Sequence, residues 1–150
     1  MCTLIVRLKH SNIIAMAGSF LFFGVIFLGR GYYRLSESQK LAVLAHEREH
    51  IRLHHTELRI LALIFCFPLL PRICRQQEFS ADAGAVKAGC GEALRQLLSF
   101  YYPRTFFYPS NRERRDALDA KLDEQTRMTP VKSPLARIGV TDQEEGELSC

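Results

Sequence analysis

Residues 35–55 read LSESQKLAVLAHEREHIRLHH, and the five at the centre of this stretch, His46-Glu47-Arg48-Glu49-His50, decide how the rest is read. Two histidines four apart share one face of a helix, about one turn from each other. Both imidazoles can then reach a single metal ion. The glutamate beside the first histidine projects next to that ion, where it can hold a water. H-E-x-x-H on a helix is the arrangement zinc peptidases use. The helix is well signalled. Ser36 followed by Gln39 reads as a capping box, which starts it near Glu37. Neither Gly nor Pro follows until Pro68. The apolar run Leu41–Ala45 is wider than a surface helix needs, so the helix is expected to be buried on most sides.

A catalytic zinc takes three protein ligands and leaves a position for water. His54, His55 and Glu78 are the candidates for the third. His54 lies one turn beyond His50, but three histidines spaced by four on a straight helix do not converge. The last would sit about 6 Å further along the axis. No glycine follows His50 to turn the chain back, so His54 and His55 are read as helix-surface residues. Glu78 falls on a second expected helix, roughly Ile73 to Lys87, closed by Gly89 and Gly91. Asp82 shares its face. One of these carboxylates can bind the metal while the other accepts the second ring N–H of a ligand histidine. Ala81, Ala83, Gly84 and Ala85 leave room for this helix to press closely on the first.

Three blocks then resemble a known group of enzymes. Glu78-Phe79-Ser80-Ala81-Asp82 is similar to the E-x-x-A-D that follows H-E-x-x-H in the gluzincins of the HtpX-like, prenyl-protein-processing and antibiotic-sensor families. Leu35-Ser36 with Ala42–Glu47 resembles their L-S-x-x-x-x-A-V-L-A-H-E helix, with one residue more between Ser36 and Ala42 here. Tyr108-Pro109-Ser110 through Arg114 and Leu118 resembles their H-P-S-x-x-x-R-x-x-x-L segment. The resemblance spans Leu35 to Leu118 in the family order. It implies His46, His50 and Glu78 as ligands of one Zn2+ per chain, Glu47 as general base, and Asp82 as the group orienting a ligand histidine. It also implies Arg114 near the substrate. Two positions depart from the pattern. Glu49 replaces a glycine before the second histidine and puts an extra carboxylate near the metal. Tyr108 replaces a histidine that would face the oxyanion, a role a tyrosine hydroxyl can also fill.

Upstream, Asn12–Gly29 is apolar over about the length of a membrane helix. Gly18, Gly24 and Gly29 and the β-branched and aromatic content favour two strands instead, Ile13–Ala17 and Phe22–Leu28 around a turn at Gly18-Ser19. A membrane anchor over 12–29 is the alternative. Cys2–Arg7 can add a strand. An edge strand here would bind an extended peptide beside the zinc. The apolar run Ile60–Leu70 contains Pro68 and is short for a bilayer span. It reads as the end of the active-site helix and a turn into the Glu78 helix, with surface attachment to a membrane as an alternative.

The expected fold is therefore α+β, a small gluzincin-like domain over 1–127. In it a short N-terminal antiparallel sheet packs on the active-site helix and on a second, glutamate-bearing helix. A flexible tail follows over 128–150, marked by Pro130, Pro134 and the acidic Glu144–Glu147. Net charge is +4. The basic residues of the late helix, Arg112, Arg114, Arg115 and Lys121, interleave with acids, which argues against a nucleic-acid surface. Five cysteines with no C-x-x-C pair point to a reducing, cytoplasmic setting. The expected activity is zinc-dependent endopeptidase action on peptides or unfolded proteins. The alternative is a catalytically weak zinc protein that binds a peptide or a regulator.

Overall fold

A computed structural model describes residues 2–8, 11, 13–20, 23–99 and 104–128. Asn12, the connection at 21–22 and the expected tail beyond Met128 lie outside the described residues. The class is α+β, as expected. Strands β1 (Cys2–Arg7), β2 (Ala15–Phe20) and β3 (Phe23–Leu28) form one sheet in the order β1-β3-β2. The β2–β3 pair is antiparallel, with Ala17 opposite Ile26. β1 joins the other side of β3 in parallel, so the sheet is mixed rather than purely antiparallel. Gly18 and Ser19 lie inside β2, not in a turn. Their place is set by Ser19, whose N–H donates to Thr56 Oγ1 and whose hydroxyl donates to Glu57.

Among the described residues five α-helices follow: α1 (Glu37–Arg52), α2 (His55–Phe65), α3 (Leu70–Lys87), α4 (Gly91–Leu97) and α5 (Asn111–Met128). Among the described residues no helix is long and apolar enough to cross a membrane. The capping box at Ser36 and Gln39 is formed, and it starts α1 where the sequence places it. α1 is the axle of the fold. Val43 and Ile51 face the sheet and pack with Ile26, Leu28 and Tyr32. Ala42 faces the other way, into a cluster with Ala85, Val86, Leu94, Leu98 and Leu118 from α3, α4 and α5. This two-sided burial explains the wide apolar run before His46.

Small residues set the distances. A Cβ on Gly24 would lie 2.6 Å from Ile51 Cγ2, and one on Gly84 would overlap Glu49, so β3 and α3 both approach α1 closely. α1 does not continue into the apolar run, where the sequence reading expects it to continue. It ends at Arg52, and His54 takes the left-handed conformation, φ 52° and ψ 39°. α2 therefore leaves in a new direction. α3 begins earlier than expected because Pro71 fits a first helical turn, where its missing N–H costs nothing. Gly89, at φ +77°, closes it.

Candidate metal centre

Three helices meet at one buried point. α1 supplies His46 and His50, α3 supplies Glu78 and Asp82, and α5 supplies Arg114. His46, His50, Glu78 and Asp82 are all buried. One ligand atom from each of His46, His50 and Glu78 lies within 4.8 Å of the others, so the group can hold a metal ion. The two Nε2 atoms are 3.2 Å apart. The Glu78 carboxylate oxygens each stand 3.6 Å from one of them. Ligands about 2.0–2.1 Å from a tetrahedral zinc would stand about 3.3 Å from each other. The donor set and its spacing are therefore compatible with a tetrahedrally held metal ion.

The outer contacts orient these donors. His46 Nδ1 lies 2.9 Å from Asp82 Oδ1. The angle falls short of a strict hydrogen bond, and Nδ1 has no other partner. The contact is an electrostatic one, which distance governs more than alignment. Arg114 grips Asp82 with two bonds, Nε to Oδ2 at 2.8 Å and Nη2 to Oδ1 at 2.6 Å. Its Nη1 also reaches within 3.5 Å of Glu78 Oε2. Arg114 thus lines the cleft with its guanidinium committed to carboxylates.

His55 corrects the sequence reading. It is buried, not a helix-surface residue. The left-handed turn at His54 folds it back, and its Nδ1 sits 2.7 Å from His50 Nδ1. Only one of two facing nitrogens can carry the proton. If His50 keeps its Nε2 lone pair for a metal, its Nδ1–H donates to His55. Gln77 holds His55 in place by donating to its backbone carbonyl. His54 is exposed, as expected. Arg59 on α2 belongs to none of the sequence motifs. Its Nη2 lies 3.3 Å from Glu78 Oε1, its Nε donates to Gln77, and its guanidinium covers the Tyr108 ring at 6.0 Å.

Protonation follows from these neighbours. Burial opposes charge on His46, but Asp82 and Glu78 outweigh it and raise its pKa to about 9. Burial and the positive charge on His46 push His50 down to about 3. Burial and Arg59 push His55 down to about 4. Glu78 is held near 2: its own burial works the other way, but His46 and Arg114 stabilise the carboxylate. Glu47 is raised, mainly by burial.

The centre opens into a cleft of about 400 Å³. His46, Glu47, His50, Glu78, Tyr108 and Arg114 line it, as do Ala15–Ala17 of β2, Leu94 and Leu97 of α4, and Leu98 just after it. The backbone of Ala17 favours the charged form of Glu47, against the stronger effect of its burial. Glu49 turns onto Arg52, which donates to it at 2.8 Å, and does not line the cleft. Scans of protein-family models, curated proteins and solved structures find no match to this chain.

Proposed function

We propose that the chain is a zinc-dependent metalloendopeptidase acting in the cytoplasm. One observation carries the reading: His46, His50 and Glu78 converge in a buried group that can hold a metal, and Glu47 lines the same cleft. His46, His50 and Glu78 would hold the ion. Zinc, when bound, makes its water more acidic and polarises a carbonyl. Glu47 acts as the proton acceptor. Its raised pKa brings it nearer the working pH of a general base, and it would return the proton to the departing amine. The Tyr108 hydroxyl, with the Arg59 guanidinium over its ring, would donate to the carbonyl oxygen as charge builds there. Arg114 and Asp82 hold His46 in position and do not touch substrate.

The outer edge of β2 is the natural seat for an extended peptide. Ala15–Ala17 run along the cleft wall. Side chains bound there would meet Leu94, Leu97 and Leu98. The cytoplasmic placement rests on the cysteine usage. The test is zinc content together with casein cleavage, for wild type and Glu47→Gln. Glu47→Gln keeps size and most hydrogen bonding but removes the proton acceptor. Zinc should be retained while turnover falls by a factor on the order of 10²–10⁴. Equally slow cleavage by both proteins, with zinc in both, would favour a zinc scaffold that binds peptides without hydrolysing them.

A further inference from the structure

The sheet buries one face and leaves the other bare. Along β3 the burial alternates: Gly24, Ile26 and Leu28 are buried, while Phe23, Val25 and Phe27 point the other way. Phe20, Gly18 and Met16 of β2 stand opposite these three. Leu4 and Val6 of β1 stand opposite Val25 and Phe27 from the other side. Partners across a ladder share a face, so these positions together make the outer one, and none of them carries a polar side chain. A sheet with one solvated face normally alternates apolar inside with polar outside. Here Phe20 and Phe23 are each 67 % exposed, Leu4 63 % and Met16 54 %.

Gly18 sits in the middle of this face, opposite Val25. Nothing within the protomer requires a glycine there. A Cβ would meet no atom within 4 Å, in contrast to Gly24, where Ile51 leaves no room. Nor is Gly18 in the left-handed conformation. A glycine inside a strand loses backbone entropy on folding and packs no side chain, and it marks a place that another chain approaches closely. The result is a notch flanked along β2 by Met16 and Phe20. The bare apolar surface amounts to roughly 600 Å² per chain, taking about 200 Å² for a fully exposed phenylalanine. Two such faces together bury about 1,200 Å², the lower end of what a specific protein contact needs. Uncharged apolar surface of this extent is what homodimers hide. A second copy offers a face of the same twist and the same apolarity, and such sheets stack about 10 Å apart.

We propose that the outer sheet face is the interface of a homodimer, in which two sheets stack face to face about a two-fold axis crossing β2 between Gly18 and Phe20. An axis there exchanges the two positions, so Phe20 of each copy seats in the Gly18 notch of the other. Stacked faces leave strand edges open, and the β2 edge stays free. The dimer depends neither on zinc nor on peptidase activity, so the two readings fail separately. Sedimentation velocity at about 50 µM should give twice the mass of one chain, with dissociation in the micromolar range that an interface of this size supports. The chain contains no tryptophan. Phe23→Trp therefore supplies a single reporter, whose emission should move to the blue as the dimer forms. Gly18→Phe and Phe23→Lys should each weaken association by about 100-fold or more, with the circular dichroism unchanged. Phe65→Lys, at a position on α2 that is 75 % exposed, should leave association unchanged. The mass of a single chain at that concentration would overturn the proposal. A dimer that survives both face substitutions, or that Phe65→Lys dissolves, would overturn it too, because the contact would lie elsewhere. So would a tryptophan emission that ignores protein concentration and turns blue only with phosphatidylcholine vesicles, since lipid would then be what covers the face.

Discussion

Zinc binding should be coupled to the loss of a proton from His46. Stripped of metal by chelation, the site has a charged His46 held by Asp82 and Glu78, with a pKa near 9, and a neutral His50. A metal needs the neutral imidazole. At neutral pH, binding must therefore expel about one proton, and it should come from His46, since His50 is already neutral. The affinity should then climb about tenfold per pH unit, or about 100-fold between pH 6 and pH 8, and level off above about 9. Calorimetric titration of zinc, in competition with a chelator and in two buffers of different ionisation enthalpy, counts the protons directly. The same group sets opposite pH trends in stability. The raised pKa of His46 stabilises the stripped protein fully below about 6.5. That stabilisation is lost as pH rises through about 9, and the interval corresponds to about 3 kcal/mol. The zinc-loaded protein should gain stability over the same interval. Asp82→Asn should lower the proton count at neutral pH, because it removes the first of the two carboxylates that hold the charge. A proton count near zero at pH 7, with affinity flat from about pH 6 to 8, would refute the account.

Glu78→Gln should weaken zinc binding by orders of magnitude, and undiminished affinity by metal analysis would remove Glu78 as a ligand. Arg59→Ala should keep zinc and lower kcat by about 10- to 100-fold with partial recovery in Arg59→Lys, whereas unchanged kcat would leave Tyr108 as the sole donor. Gly84→Ala should cost about 1–3 kcal/mol in thermal or denaturant unfolding, because its Cβ would overlap the stem of Glu49 and push α3 from α1.

Local signals carried much of this fold. The capping box marks the start of α1, Gly89 marks the end of α3, and the Ala-Gly-Ala run foretells the close approach that brings Glu78 to the histidines. These are short-range chemistry, and the sequence states them. What it does not state is direction. Nothing in the Leu53-His54-His55 spelling announces a left-handed residue, and an uninterrupted pattern reads as one long helix. A straight helix therefore puts His55 on the surface, and Arg59 belongs to no motif that would mark it. The parallel pairing of β1 is likewise set by its distant partner rather than by its own alternation. Gly18-Ser19 looks like a turn by composition, but cross-contacts to Thr56 and Glu57 hold it extended.

The bend at His54 also shapes which sequences this site can tolerate. On a straight helix His55 would lie about 140° around from His50, out of reach. The contact between them is therefore created by a backbone angle at a residue that takes no part in it. A side chain at position 54 is replaceable by glycine or asparagine, which enter the left-handed region with little or no penalty, and glycine would relieve about 1–2 kcal/mol of strain. A valine or isoleucine there would favour the straight helix and swing His55 away, without altering a single atom that faces the metal. The position whose chemistry matters least to the site is thus among those whose shape it can least afford to change.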